Sequence, residues 1–189
     1  MSLVLVVLPI VWGFLRKQQG LPMFGSPTIA QLEDPSYRPG LVGMKKVDDG
    51  PVIDLDANDD QGTPGSDFAV TFTEGDPATL IEDPLDATVT DVDSATLASL
   101  TVTITNLLDT GFETLATDVT GTSIVANYAV APGTGTLTLT GPDTLANFQT
   151  VLRKVMYLNT GTSPDATPRV IEFVANDGTT DGNTPSRSR

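Results

Sequence analysis

The chain has 189 residues, 24 acidic against 10 basic side chains, a net charge of −14 and a mean hydropathy of +0.03. With 39% hydrophobic residues this excludes a disordered polyelectrolyte and leaves room for one ordinary domain plus an appendage. The absence of Cys and His excludes disulfides, thiolate or imidazole metal sites and histidine-based triads, and the acidity argues against nucleic acid, whose phosphates need clustered Lys and Arg.

The charge is unevenly divided along the chain. In residues 1–46, Arg16, Lys17, Arg38, Lys45 and Lys46 oppose Glu33 and Asp34, a net of +3, which leaves −17 for the rest of a chain totalling −14. A boundary is therefore expected near Val47. Residues 1–17 form an apolar segment in which Leu3 to Leu15 carry no charge. Its anchoring or assembly residues would be Leu3, Leu5, Val7, Ile10, Trp12 and Phe14. The run is shorter than the roughly 20 residues of a helical bilayer span. Pro9 interrupts it, and its basic residues follow the run instead of preceding it as in a secretory signal. Three readings stay open: a targeting or membrane-anchoring segment, a packed or donated β-strand, and an artefact of gene assignment. Residues 18–50 hold recurrent Gly and Pro without an apolar period, and read as an extended linker or arm.

Residues 51–181 are rich in Thr, Val, Leu and Ile punctuated by Gly, Asp and Pro, the pattern of many strands joined by turns. The alternation predicts strands at Phe68–Thr73, Leu100–Thr105 and Thr136–Thr140, with Leu100, Val102 and Ile104 on one face and threonines on the other. Further strands are expected at Ser123–Ala131, Val155–Leu158 and Arg169–Ala175, about seven in all. Leu145, Phe148, Val151, Leu152 and Val155 follow a helical spacing, so Thr144–Val155 is the one predicted helix, capped by Asp143 or Thr144. Residues 182–189 are expected to be a tail. The expected fold is all-β, an immunoglobulin-like sandwich with one short helix.

An internal echo frames the domain: Ala57-Asn58-Asp59 recurs as Ala175-Asn176-Asp177. Asp56-Ala57-Asn58-Asp59-Asp60-Gln61-Gly62-Thr63-Pro64, Asp91-Val92-Asp93 and Phe72-Thr73-Glu74-Gly75 stand at positions matching a linker motif, a D-x-D motif and a strand-end glutamate. Together with Leu137–Gly141, Leu145–Gln149 and Ile171–Gly178, these make residues 51–181 resemble bacterial cadherin-like repeats, the calcium-binding sandwich modules of large secreted and cell-surface proteins. The linker departs from the family pattern at Asp60 and in the placement of Pro64.

Calcium takes six to eight oxygen ligands, so alternating Asp and Asn on extended chain suit it. Asp54, Asp56, Asn58, Asp59 and Asp60 supply such oxygens, and Asp91 and Asp93 share the same i, i+2 relation. The resemblance implies that Asp91 and Asp93 join Glu74 and the linker acids at one end of the sandwich, with Ca2+ as the cofactor. The competing reading is that they are solvated turn residues. No pair of carboxylates has a spacing that spans a cleft, aromatic residues are few, and no phosphate-binding glycine motif occurs, so the chain is expected not to be an enzyme. The expected function is an extracellular or cell-surface structural or adhesion module. Its expected partners are copies of itself, neighbouring cadherin-like domains or a cell-surface ligand, with membrane contact only through residues 1–17. The alternative is a self-assembling filament or fimbrial subunit whose N-terminal arm adds a strand to a neighbouring subunit.

Overall fold

The computed structural model describes residues 48–60 and 64–187, all within the unit Val47–Arg189. The apolar segment, with Leu3, Leu5, Val7, Ile10, Trp12 and Phe14, and nearly all of the 18–50 linker lie outside the described residues.

The described residues form ten strands and one helix: β1 (Val52–Asp54), β2 (Thr79–Leu80), β3 (Thr88–Thr90), β4 (Thr96–Ile104), β5 (Glu113–Ala116), β6 (Val125–Ala131), β7 (Thr134–Thr144), α1 (Leu145–Leu152), β8 (Met156–Asn159), β9 (Ile171–Asn176) and β10 (Ser186–Arg187). They make an all-β sandwich. One sheet runs β10-β9-β4-β7-β6, a second β2-β8-β5, and β1 pairs with β3 alone. Every pairing is antiparallel.

β4 is the spine because it is hydrogen-bonded on both sides, to β7 and β9. Its apolar residues alternate with threonine, so Leu100, Val102 and Ile104 all face the core and are fully buried. Leu97 is fully buried too, although it stands three residues before Leu100. The pairing is irregular at this point, since Leu97 pairs with Asp143 and Ser99 with Thr140. Ala98 therefore stands opposite both Gly141 and Pro142, and Leu97 and Leu100 turn inward on either side of this irregularity. Pro142, which has no N–H to give a ladder, sits where pairing is already interrupted.

The helix begins at Thr144, whose Oγ1 accepts from the Asn147 N–H at 3.2 Å. Asp143 supports the same turn, accepting from the Thr144 N–H and from Asn147 Nδ2, both at 2.7 Å. Phe148, Val151 and Leu152, at i, i+3 and i+4, are fully buried in the core beside Leu139 and Phe173. The helix ends at Leu152, three residues before the sequence pattern ends, because the chain tightens into i→i+3 bonds from Lys154 N–H to Val151 O and Val155 N–H to Leu152 O. Val155 is still fully buried, from the turn instead of the helix.

Phe68–Thr73 does not form the expected strand: its only ladder contact is an isolated bridge at Phe68. The side chains do alternate, with Phe68, Val70 and Phe72 against the core and Thr71 and Thr73 exposed. Across an open groove lies Ser163–Arg169. Pro164 and Pro168 within that segment have no N–H with which to build a ladder.

Phe148→Ala opens a cavity at a fully buried site and is expected to cost about 3–5 kcal/mol of unfolding free energy. Thr144→Ala, which removes one cap bond, is expected to cost about 1 kcal/mol. Urea denaturation of both variants beside the parent checks this ordering.

Candidate metal centre

β1 and β3 form a short antiparallel ladder in which Val52 pairs with Thr90 and Asp54 with Thr88. Chain direction then decides where the flanking acids go. Asp83 and Asp86, which precede β3, fall beside the end of β1 that leads to Asp56. Asp91 and Asp93, which follow β3, fall beside the end that Asp48 enters. Two separate carboxylate groups result, Asp56–Asp83–Asp86 and Asp48–Asp93–Asp177, each with one oxygen per residue within 4.8 Å of the others.

The first group is the more buried. Asp56 is fully buried and Asp83 is 5% exposed. Asp83 is fixed by its own turn: its N–H donates to Leu55 O at 2.8 Å, and its Oδ1 accepts from the N–H groups of Leu85 at 2.7 Å and Asp86 at 3.3 Å. The Asp56 N–H donates to Asp54 Oδ1 at 3.1 Å, and Asp56 Oδ1 accepts from the Asp60 N–H at 3.3 Å. Asp86 differs from both. Its two carboxylate oxygens are buried and have no hydrogen-bond partner among the described residues. Burial raises its pKa above the usual carboxylate value, and repulsion from Asp83, Asp56 and Asp60 adds to the rise. The backbone N–H of Asn58 opposes this without reaching hydrogen-bond geometry. The guanidinium of Arg153 donates through Nε to Ala87 O at 2.7 Å.

The second group ties the two ends of the unit together. Asp48 Oδ2 accepts from the hydroxyls of Thr179 and Thr180. Asp177 Oδ1 accepts from the N–H groups of Thr179 at 2.7 Å and Thr180 at 2.8 Å, which hold its pKa below the usual value. Alongside, the Asn183 side chain brackets Ile53, accepting from its N–H and donating to its carbonyl, each at 2.7 Å. A Cβ on Gly182 would overlap the Pro51 carbonyl, so only glycine permits this approach.

Of the residues singled out in the sequence, Asp56 and Asp93 enter these groups, but different ones. The expected convergence of Asp91, Asp93 and the linker acids at one end is thus replaced by two groups at opposite ends of the β1–β3 ladder. Asp54 is half-buried at the end of β1. Asn58 and Asp60 are exposed and bonded to each other at 3.1 Å. Asp59, at φ 56°, accepts from the Gly65 N–H at 2.9 Å. Asp91 Oδ1 closes a turn onto the N–H groups of Asp93 at 2.9 Å and Ser94 at 2.8 Å. Glu74 is exposed, lines the groove opposite Ser163–Arg169 and belongs to neither group. Asp83, Asp86, Asp48 and Asp177 were not singled out as ligands. The available signal for the first two was Asp83-Pro84-Leu85-Asp86, an acidic turn between apolar residues.

A third carboxylate site shows how this protein buries a negative charge when a cation is at hand. Glu113, 1% exposed, accepts at Oε1 from Arg169 Nε and from the Tyr157 hydroxyl at 2.7 Å. Its Oε2 accepts from the N–H groups of Leu108 at 3.0 Å and Asp109 at 2.8 Å. Arg169 Nη2 also bonds Asp109 at 2.8 Å, and Asn159 Nδ2 meets the same Asp109 oxygen at 2.8 Å. Burial and the Glu113 charge push the Tyr157 hydroxyl well above its ordinary pKa, so it stays a donor. Lys154 and Asp118, by contrast, meet at 2.9 Å where both are exposed, a surface ion pair screened by solvent.

No helix among the described residues is long and apolar enough to cross a membrane. Comparison of the chain with known protein families, curated proteins and solved structures finds no match.

Replacing Arg169 with Leu strands the buried Glu113 charge and is expected to cost about 3–5 kcal/mol. Lys154→Ala is expected to leave stability unchanged within error. Chemical denaturation at neutral pH distinguishes the two.

Proposed function

We propose that this chain is a non-enzymatic structural or adhesion module of the cell surface or extracellular space, stabilised by calcium bound at Asp56, Asp83 and Asp86. The observation that carries this reading is Asp86, whose two buried carboxylate oxygens have no hydrogen-bond partner among the described residues while two buried carboxylates stand beside them. Like charges so placed resist joint ionisation unless a proton or a cation neutralises them. Three carboxylates with oxygens within 4.8 Å fit one calcium shell, since two ligands at about 2.4 Å can stand no farther apart than that. An all-oxygen donor set in a chain without Cys or His favours a hard cation over zinc or copper. Calcium sites of extracellular modules work at about 0.1–1 mM, which suits so small a set of carboxylates.

The non-enzymatic part of this reading rests on a sequence without His or Cys and with few aromatic residues. The spacing or adhesive role rests on the sandwich fold and on the cadherin-like sequence pattern of residues 51–181.

Calcium that binds only the folded chain at a hundredfold excess over its Kd adds about 2.7 kcal/mol, a rise in Tm of roughly 5–10 °C. Asp86→Asn is expected to raise the Tm in chelator, by relieving repulsion, and to shrink the calcium-induced rise. A Tm unmoved by millimolar calcium in the parent chain overturns the reading. Acidity sets a second expectation. Because the folded-state pKa of Asp86 is raised, its ionisation penalises the calcium-free fold above that pKa, and the penalty fades as pH falls toward the unfolded value. Protons compete for the same oxygens, so the calcium-induced rise should be largest at neutral pH and decline through the acid range, as thermal melts at stepped pH will read.

A further inference from the structure

β6 is the outermost strand of the five-stranded sheet, and among the described residues its only strand partner is β7. Such an edge presents a row of unsatisfied N–H and C=O groups, and monomeric proteins blunt it with Lys, Pro, bulges or a short strand. None of these devices is present. The strand is seven residues long, Val-Ala-Asn-Tyr-Ala-Val-Ala, and pairs with β7 from Val125↔Thr140 to Ala131↔Thr134 without a break in register. All its residues except Tyr128 are exposed, with Val125 at 65% and Val130 at 48%. No charged residue occurs from Val119 to Pro142, which makes the β6–β7 hairpin the longest uncharged stretch of an otherwise strongly acidic unit.

We propose that β6 pairs antiparallel with β6 of a second copy of this chain, about a two-fold axis at Tyr128, joining the two five-stranded sheets into one. Three features select this occupant. In that register Val125 faces Ala131, Ala126 faces Val130 and Asn127 faces Ala129, so each larger side chain meets an alanine on the same face of the sheet. Tyr128, the one bulky residue on the axis, is turned back over its own sheet. Its hydroxyl donates to Glu113 O at 3.2 Å and fills the space a Cβ on Gly135 would need, which leaves the edge clear. Finally, two copies of so acidic a unit repel wherever their charges meet, and this edge is where they can approach without opposing carboxylates. The N-terminal run Leu3–Leu15 fits less well as the added strand, since Pro9 cannot donate to a ladder. A two-fold contact of this kind closes on itself, giving a dimer and no filament.

Sedimentation velocity of the full chain over a concentration series tests this, together with a cross-linking pair. The parent is expected to dimerise, more readily as salt rises and screens the net charge. Val125→Lys with Ala129→Lys, both on the exposed outer face, should keep the parent Tm and weaken dimerisation at least about tenfold. Because the chain has no cysteine, Asn127→Cys and Ala129→Cys report the register directly. Mixed and oxidised, they should form the Asn127→Cys/Ala129→Cys heterodisulfide in preference to either homodisulfide, since opposed residues lie within disulfide reach. A chain monomeric at every concentration, a dimer indifferent to the lysines, or association without the heterodisulfide, as an N-terminal strand on this edge would give, each overturns the proposal.

Discussion

Neutralising buried negative charge is the constraint on which this structure turns. With 24 acidic and 10 basic side chains in the whole chain, carboxylates outnumber the cations available to meet them. Where one is available, at Arg169, the result is a saturated network: Glu113 accepts four bonds, and Asp109 joins through the same guanidinium. At Asp56, Asp83 and Asp86, backbone N–H groups of nearby turns meet the first two, while neither Asp86 oxygen has a hydrogen-bond partner among the described residues.

The placement of those sites follows from strand direction more than from the identity of any one residue. β1 and β3 are only three residues each, yet their antiparallel pairing separates acids that lie close in sequence, sending Asp83 and Asp86 one way and Asp91 and Asp93 the other. β4 performs the same service for the core. Beside its irregular pairing with β7, Leu97 and Leu100 both point inward, and α1, which follows β7, packs against it.

This explains which parts of the protein were legible in its sequence. β4 and β7 could be read because both have one buried and one wetter face, so side-chain alternation records the strand. The helix could be read for the same reason, although its last turn could not, because a buried Val155 looks alike whether a helix or a turn delivers it. Phe68–Thr73 misled since alternation reports which side chains face the core and is silent on whether a ladder partner can donate. β5, Glu-Thr-Leu-Ala, left no local trace: it is a strand because β8 pairs with it, and its buried Glu113 is tolerable only through Arg169, 56 residues away. The carboxylate groups were half legible. Asp56 and Asp93 stood out in short acidic motifs, but their partners are set by pairing across the fold, which spacing along the chain does not encode.

The clasp between Asn183 and Ile53 has a consequence for the order in which this unit assembles. It joins residues 130 apart, whereas the β6–β7 hairpin closes over a tight turn and α1 forms from adjacent residues. Closing a loop that long carries a larger entropy penalty than closing a hairpin, and the penalty falls once the intervening chain is already compact. The junction of entry and exit is therefore expected to lock last and release first. In a chain pulled or nicked at either end, the region around Asp48, Asp93 and Asp177 opens while the sandwich behind it still stands.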